Sequence, residues 1–376
     1  METRKLISLA GRCVLCFLLI TISGEIMTQP GHSHSRDSLT LRVLTFNVWS
    51  GLNYRGTLKM GEYETPEHRQ KRYEVLVEQL REVHPDVICL QEVNPAPGYT
   101  RRLAKDLGYQ GTAFVGMGGI HLGPVGIPVN FREGDAILVS NEFEMEVLGR
   151  TKLSGRGIST NWFTFHFAEI NQIMGVELRK DGFRFHVYNT HLHAGPGPTN
   201  FLLDRLRNLW NSDEIATVGF SEILERFLGH QERRQRELDR ALEFIQKHRE
   251  SGVPEIFAGD FNLTPAEVTY YIPVRDGFQD TYRPRGDHRE YTWDPEQNNN
   301  IRRYYTRPDS FNSATEYARW IADHRQRRID YVFVRDLKHV VTVGCTARFG
   351  TGVIRGVHPS DHFGWLTTLT ISGSLQ

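Results

Sequence analysis

The chain has 376 residues, of which 39% are hydrophobic and 24% charged, a balance typical of a globular protein with a sizeable core. Its 45 Lys and Arg residues equal its 45 Asp and Glu residues. The chain therefore lacks the overall basic charge of a strong nucleic-acid binder, although this leaves room for local basic patches. A chain of this length forms one large domain or two smaller ones.

The first 24 residues have the pattern of a signal peptide. A short basic stretch at 1–5 precedes the apolar run 13–22, and the small residues Ser23 and Gly24 follow. An uncleaved membrane anchor is the alternative, because further apolar residues occur before Arg12. We therefore predict a signal peptide over 1–24, a flexible segment over 25–40, and a secreted or exported protein, with membrane association as the second option.

Strand and helix patterns then alternate along the chain. Helical spacing predicts helices over 66–83 and 221–248. Short apolar runs predict strands at 41–48, 87–90, 136–140, 183–189, 255–258, 329–334, 340–347 and 364–371. No internal repeat or linker interrupts this alternation. The pattern predicts one α/β domain over 41–371, in which two packed sheets have helices outside them.

Three segments are predicted to be long loops, which are often functional in compact domains. Residues 116–134 are rich in Gly and Pro and carry the apolar residues Ile120, Leu122, Val125 and Ile127. Residues 195–220 carry apolar residues that either cap the core or contact lipid: Phe201, Leu202, Leu203, Leu206, Leu209 and Trp210. Residues 283–328 form a solvated loop or a nucleic-acid patch and carry the arginines Arg302, Arg303, Arg307, Arg325, Arg327 and Arg328.

Polar side chains recur where the predicted strands end or begin. They are Asn47, Glu92, His191, Asp260, Asn262, Asp330, Asp361 and His362. Each alone could belong to an ordinary turn, but so many at one sheet edge are hard to explain as caps. Asp260 and Asn262 lie two residues apart at a strand end, so their side chains can face the same cleft.

These residue types indicate metal-assisted phosphoester hydrolysis. Carboxylate and amide oxygens suit a hard cation such as Mg²⁺, which binds through one or two carboxylates, water and phosphate. The histidines are then better placed to donate hydrogen bonds to phosphate or to a leaving group than to bind zinc. The sequence contains no nucleophilic serine motif, plausible Cys–His pair or Gly-rich phosphate loop. A metal with a water-orienting carboxylate and imidazoles can hydrolyse a phosphoester.

Six short motifs, spread over 41–371, carry a family resemblance. They are 45–49 (TFNVW), 90–93 (LQEV), 189–192 (NTHL), 259–262 (GDFN), 328–331 (RIDY) and 360–362 (SDH). In this order they resemble the successive motifs of the endonuclease/exonuclease/phosphatase superfamily. The resemblance implies a four-layered α/β/β/α sandwich with two mixed sheets. It also implies Mg²⁺-dependent cleavage of a phosphodiester or phosphomonoester, with Mn²⁺ as the alternative metal.

The resemblance also implies a role for each motif residue at the metal. Glu92 would bind the Mg²⁺, and Asn47 would lie beside it, at the metal and the phosphate. Asp361 would support the metal site.

The catalytic roles follow from the same resemblance. Asp260 would orient and deprotonate the attacking water, and Asn262 would hold a phosphate oxygen. Asp330 would orient His362, which would stabilise the charge that builds on phosphorus. His191 would lie near the phosphate and the leaving group.

The motifs at 189–194 and 328–334 most resemble the neutral sphingomyelinase branch, which implies a phospholipid substrate at a membrane surface. The apolar segments 116–134 and 195–220 would suit such docking. Candidate choline-binding aromatics, with packing as their alternative role, are Tyr291, Trp293, Tyr304 and Tyr305. A secreted DNase-like endonuclease, favoured by the arginines at 302–328, and a non-catalytic binding protein are the other hypotheses. A monomer is expected.

Overall fold

The computed structural model describes residues 38–166, 169–211, 220–284, 290–306, 313–335 and 341–372. The predicted signal peptide, most of the predicted flexible segment, and Arg307 lie outside these ranges. The side chains of Leu209 and Trp210 also lie outside the described ones. Among the described helices, none is long and apolar enough to cross a membrane.

The strands and helices of the described residues alternate along the chain. The strands are β1 (Ser38–Asn47), β2 (Val87–Val93), β3 (Tyr109–Met117), β4 (Ile120–Leu122), β5 (Val125–Ile127), β6 (Glu133–Ser140), β7 (Glu144–Lys152), β8 (Ile158–Ser159), β9 (Phe163–Phe165), β10 (Gln172–Lys180), β11 (Phe183–His191), β12 (Glu255–Asp260), β13 (Gln279–Asp280), β14 (Asp330–Arg335), β15 (Val341–Phe349) and β16 (Gly364–Ser372). The helices are α1 (Pro66–Val83), α2 (Ala96–Leu107), α3 (Asn200–Asn211), α4 (Phe220–His248), α5 (Tyr271–Arg275), α6 (Asn299–Tyr304) and α7 (Ala314–Asp323), and a 3₁₀ turn covers Val268–Tyr270.

The strands form two mixed sheets and one small sheet. The first sheet has the order β15-β16-β1-β2-β6-β3, and the second has the order β13-β14-β12-β11-β10-β7. In each of them one central pair is parallel, β1 with β2 and β11 with β12. The small sheet has the order β5-β4-β9-β8.

Apolar side chains hold the layers together. Val43 on the first sheet and Val187 on the second belong to the core between the sheets. Leu44, the next residue along β1, points to the opposite face, where α1 and α2 cover the first sheet. Helix α4 covers the outer face of the second sheet through residues such as Leu238 and Ile245. The layers are therefore α/β/β/α, which confirms the predicted fold class.

The structure corrects the predicted long loops, because each holds regular structure. Residues 116–134 include β4 and β5, residues 195–220 include α3, and residues 283–328 include α6 and α7. Leu202 and Leu206 of α3 are buried against α4 and α7. These two leucines therefore cap a satellite core, which is the first of the two roles considered for that segment.

A buried asparagine connects the two large sheets close to their functional edge. Asn189 of β11 donates from Nδ2 to the main-chain oxygens of Leu90 (2.9 Å) and Ala136 (3.0 Å) in the first sheet. Its Oδ1 accepts a hydrogen bond from Gln91 Nε2 at 2.7 Å. These three bonds fix the position of β11 relative to β2, two residues before His191.

We expect Asn189→Leu to lower the free energy of unfolding by about 3 kcal/mol, because several buried polar groups lose their partners together. Denaturant unfolding monitored by circular dichroism measures the change. Asn141→Leu is the matched control, since exposed Asn141 makes a single hydrogen bond to Gly108 O, and its expected change is below about 0.5 kcal/mol. Equal losses in the two variants would refute a special role for the inter-sheet bonds.

Candidate active site

Strand direction brings the predicted site residues to one edge of the two large sheets. β1 ends at Asn47 and β12 ends at Asp260. In the second sheet, Asp260 pairs with His191 on the parallel neighbour and with Asp330 on the antiparallel one. β16 begins two residues after His362 and runs antiparallel to β1. Strands β1, β11 and β12 thus end, and their antiparallel neighbours β14 and β16 begin, at the same edge of the two sheets.

Asp260 lies at the centre of this group and is 1% exposed. Its Oδ2 accepts a hydrogen bond from Asn47 Nδ2 at 3.1 Å, and its Oδ1 accepts one from the main-chain N–H of Asn262 at 2.9 Å. The Nε2 atoms of His191 and His362 lie 3.7 Å and 3.8 Å from Oδ2. The Asp260 carboxylate therefore lies beside two imidazoles, just beyond direct hydrogen-bond distance of each.

His362 is held by Asp330. Its Nδ1 lies 3.0 Å from Asp330 Oδ2, so Nδ1 carries a proton and Nε2 faces Asp260. Burial opposes the charged imidazolium, but the carboxylates of Asp330 and Asp260 outweigh it and raise the pKa of His362 to about 10. The ring of Trp293 contacts the imidazole at a centroid distance of 5.1 Å. His362 is thus a fixed cationic donor.

His191 and Asn262 form the other wall of the site. Asn262 has a left-handed φ of 51°, and its Nδ2 donates to Leu192 O at 3.0 Å and lies 3.1 Å from His191 Nε2. Burial disfavours the charged form of His191, but nearby carboxylates, Asp260 and Glu92 first among them, raise its pKa to about 9. In the charged form, His191 Nε2 is a donor beside Asp260 and cannot accept from Asn262 Nδ2, which keeps its hydrogen bond to Leu192 O.

Glu92 and Asn47 meet on the first sheet. Glu92 lies at a bulge in β2 with a φ of 56°. Its Oε1 accepts from Asn47 Nδ2 at 3.0 Å, and its Oε2 accepts from the main-chain N–H of Ser50 at 3.1 Å. The Oδ1 of Asn47 accepts from Trp49 N at 2.9 Å. The Asn47 carboxamide thus donates to the carboxylates of both Glu92 and Asp260. Its position at a metal stays a prediction.

Asp361 is buried beside this pair. Its Oδ2 accepts from Tyr305 OH at 2.8 Å and its Oδ1 accepts from Ser360 Oγ at 3.2 Å. Burial, reinforced by the negative charge of Glu92, raises the pKa of Asp361 to about 6. The negative charge of Glu92 acts on the Asp361 carboxylate, as expected of a residue that supports the metal site.

Two further buried carboxylates, Glu133 and Asp135, were missed by the sequence interpretation. Tyr54 OH donates to Glu133 Oε2 at 2.9 Å, and Gln172 Nε2 donates to Asp135 Oδ2 at 3.0 Å. Burial, with the charge of Glu92 next, raises the pKa of Glu133 to about 8, and burial raises that of Asp135 to about 6. The sequence signal that could have identified Glu133 and Asp135 is the presence of two acidic residues directly before the predicted apolar strand at 136–140.

The donor set fits a hard divalent cation. Burial and the charge of Glu92 raise the pKa values of Glu133 and Asp361, so ionising all three carboxyl groups together is costly unless a positive charge compensates it. Oxygen donors of this kind suit Mg²⁺ or Mn²⁺. The residues that would hold such an ion are therefore Glu92, with Asn47 and Asp361 next to it.

Among the described residues, two groups of side chains have ligand atoms close enough together to share a metal ion, and Glu92 belongs to neither. The ligand atoms of Asp260, Asp330 and His362 lie within 4.8 Å of one another, but the raised pKa of His362 favours hydrogen bonding over metal ligation. The second group is Glu177, His186 and Glu250, where the guanidinium of Arg184 pairs with both carboxylates. That pairing marks the second group as an ion-pair network.

The candidate choline-binding aromatics do not form a cage between them. Trp293 and Tyr305 pack edge to face at 5.3 Å, and Tyr304 packs on Trp49 at 5.2 Å. These contacts agree with the alternative role of packing, and a quaternary ammonium would need ring faces within about 6 Å on more than one side of it. Tyr291 instead lines a cavity of about 920 Å³, and Asn262 of the candidate site lines the same cavity.

Comparison with known proteins identifies the family. The sequence model of the endonuclease/exonuclease/phosphatase family matches residues 44–362, and the chain belongs to this family. A comparison with curated protein sequences found no significant match. Divalent-metal dependence is typical of the family's phosphoester hydrolases, and in this chain the carboxyl groups around Glu92 are the ones that could hold such a metal.

Solved structures with the same fold include three informative ones. The chain is similar to D. rerio TDP2 complexed with a single-strand DNA product (20% identity, 88% of this chain, 98% of that chain, TM-score 0.55). It is also similar to two proteins of Bacteroides thetaiotaomicron. One is an endonuclease/exonuclease/phosphatase family protein (17% identity, 89% and 99% covered, TM-score 0.52). The other is a mannosyl-6-phosphatase (18% identity, 88% and 99% covered, TM-score 0.50). At these identities the likeness shows the fold alone, and the sphingomyelinase branch stays a prediction.

Proposed function

We propose that this chain is a metal-dependent phosphodiesterase that hydrolyses a phospholipid phosphodiester such as sphingomyelin. The observation that carries the proposal is the arrangement of Asp260 and His362. A buried carboxylate faces a cationic imidazole across 3.8 Å, and Asp330 holds the far side of that imidazole. A base for water and a donor for a phosphate oxygen thus meet at one point.

The residues divide the reaction between them. Asp260, held by Asn47, accepts a proton from the attacking water while the water oxygen bonds to phosphorus. His362 donates from Nε2 to a phosphate oxygen, and Asn262 holds another, so both stabilise the charge that develops there. As the ester bond breaks, His191 is the imidazolium nearest the leaving oxygen and supplies its proton. A divalent metal at Glu92 would neutralise phosphate charge and lower the pKa of a bound water.

A lipid substrate is favoured over nucleic acid by how the arginines are used. Arg328 pairs with Asp280 at 2.6 Å and Arg327 with Asp323 at 3.5 Å, while Arg325 packs over the ring of Phe201. These cations already have partners, so the segment offers less charge to a phosphate backbone than its sequence suggests. An exposed apolar sheet near the site, described below, supports a lipid interface.

A DNase-like endonuclease remains the second candidate, because D. rerio TDP2, which shares the fold, was solved in complex with a single-strand DNA product. The proposed location follows from the predicted signal peptide at 1–24, which makes this an exported enzyme.

The deciding experiment offers purified protein two substrates in parallel, each with Mg²⁺. We expect phosphocholine release from sphingomyelin vesicles and no nicking of plasmid DNA at the same protein concentration. Fast nicking of DNA with intact vesicles would overturn the lipid proposal in favour of the nuclease. Turnover of neither substrate, nor of a soluble phosphodiester, would favour a non-catalytic binding protein.

A further inference from the structure

The small sheet turns its apolar residues outward. In the register of β4 with its neighbours, Ile120 pairs with Ile127 and Phe165, and Leu122 pairs with Val125 and Phe163. The side chains that alternate with these point inward and are polar, namely His121, Ser159 and Thr164, which are buried. A sheet with one solvated face ordinarily has the reverse pattern, with apolar residues inward. We call the outward set, completed by Ile158 and Trp162, the apolar sheet face.

The apolar sheet face is well exposed. Val125 is 75% exposed, Trp162 66%, Leu122 55% and Ile158 52%, and Val129, just beyond β5, is 65% exposed. Single exposed apolar residues are common, but a contiguous set on one surface marks an interaction site. Trp is also the residue most enriched where protein meets the headgroup region of a membrane.

Cationic side chains surround this face. Lys152 donates to Gly157 O, directly before Ile158, and Arg132 donates to Asn161 O, directly before Trp162. On the opposite side, Val129 N donates to Leu58 O at 2.9 Å, which places the exposed Lys59 next to the face, where it also pairs with Glu62 at 3.5 Å. An apolar centre with a basic rim is complementary to a phospholipid surface, which offers acyl chains within a layer of phosphates.

The face also borders the active site. β4 and β5 are inserted between β3 and β6, whose ends Met117 and Glu133 pair with each other. Met117 and Glu133 line one small cavity together with Glu92 and His191. A surface docked on the apolar sheet face would therefore lie beside the edge that carries the catalytic residues.

We infer that the apolar sheet face docks the protein on a phospholipid membrane. The face binds the lipid surface through Leu122, Val125 and Trp162, and the basic rim contacts the phosphates. The inference rests on the proposed function in one respect, namely that the docked lipid is the substrate. The docking itself does not require turnover.

Quenching of Trp162 by acyl-chain-brominated phosphatidylcholine vesicles tests this inference on the full chain. Trp162→Phe isolates the signal of that residue, because other apolar segments, including 13–22, could also bring the chain to a vesicle. We expect quenching in the wild type and its loss in Trp162→Phe. Adding phosphatidylserine should tighten binding, and salt should weaken it.

The double variant Leu122→Glu/Val125→Glu tests the face directly. Both side chains project into solvent, so thermal unfolding should match the wild type. We expect the vesicle concentration for half-maximal quenching of Trp162 to rise by about a hundredfold, about tenfold for each lost apolar contact. The matched control is Val274→Glu/Val353→Glu, at exposed positions outside the small sheet, which should leave quenching unchanged.

Each outcome decides the inference. Absence of Trp162 quenching in the wild type, or unchanged quenching in the Leu122/Val125 variant, overturns it. A wild type that dimerises through this face in light scattering, with no Trp162 quenching, overturns it in favour of a second copy of the chain. Hydrolysis of soluble bis(p-nitrophenyl) phosphate separates the two proposals. Turnover without Trp162 quenching supports the proposed hydrolysis and overturns the docking. Quenching without turnover supports the docking and overturns the proposed hydrolysis.

Discussion

Asp260→Asn is expected to lower kcat for phosphodiester hydrolysis by about a thousandfold, the contribution of a positioned general base. The carboxamide keeps the size of the carboxylate but cannot accept a proton from water. It would also lose the negative charge that helps to hold His191 and His362 in the imidazolium form. Initial rates on a soluble phosphodiester with saturating Mg²⁺ measure the effect without any dependence on membrane docking.

Asp239→Asn is the matched control for that variant. Asp239 lies on the exposed side of α4, so the same chemical change there should leave kcat unaltered. The thermal unfolding temperature of both variants should remain within a few degrees of the wild type. An Asp260→Asn enzyme that retains more than a tenth of wild-type kcat would rule out Asp260 as the base.

Glu92→Gln is expected to abolish hydrolysis at ordinary Mg²⁺ concentrations, with a loss of at least about a hundredfold that excess Mg²⁺ partly restores. The carboxamide removes the anionic ligand and leaves Asn47 Nδ2 facing a neutral group. Chelation by EDTA should likewise silence the wild type, and Mg²⁺ or Mn²⁺ should restore it. Isothermal titration of the metal-free protein measures metal affinity independently of turnover.

Glu82→Gln, on the exposed face near the end of α1, controls for the charge change. It should bind the metal and hydrolyse the substrate as the wild type does. Full activity of the wild type after exhaustive chelation, or unchanged metal affinity in Glu92→Gln, would contradict a metal at this residue.

Much of the fold could be predicted because long elements carry clear periodicity. Helix α1 occupies the predicted 66–83, and its apolar residues Tyr73, Leu76, Val77 and Leu80 are buried. The predicted strands agree with the observed ones apart from a few residues at their ends. Their buried runs are apolar because helices or the partner sheet cover both faces.

Some of the elements that were missed lack that signal for particular reasons, whereas β10 has apolar residues and was missed all the same. Helix α2 begins with Ala96, Pro97 and Gly98, which resemble a turn. Strand β7 lies at an edge with many exposed polar residues, so no apolar alternation marks it. Strands β4 and β5 have three residues each, too few to define a period, and their apolar residues point outward.

The site could be predicted where residue type and strand end coincide, as at Asp260, Asp330 and His362. The hydrogen bonds among these residues depend on strand register between distant segments, which local sequence does not specify. Glu133 and Asp135 were missed because their importance comes from the charge of Glu92, which lies on the adjacent strand. The roles of all these residues stay predictions until the variants are measured.

The central claim is that water activated by Asp260 attacks phosphorus. Hydrolysis of a phosphodiester in heavy-oxygen water, followed by mass spectrometry of the products, tests it most directly. The predicted result is heavy oxygen in the phosphoryl product, formed at a rate that depends on added metal and falls sharply in Asp260→Asn. Heavy oxygen in the alcohol product, or labelled phosphoryl product formed equally fast by Asp260→Asn, would contradict the claim.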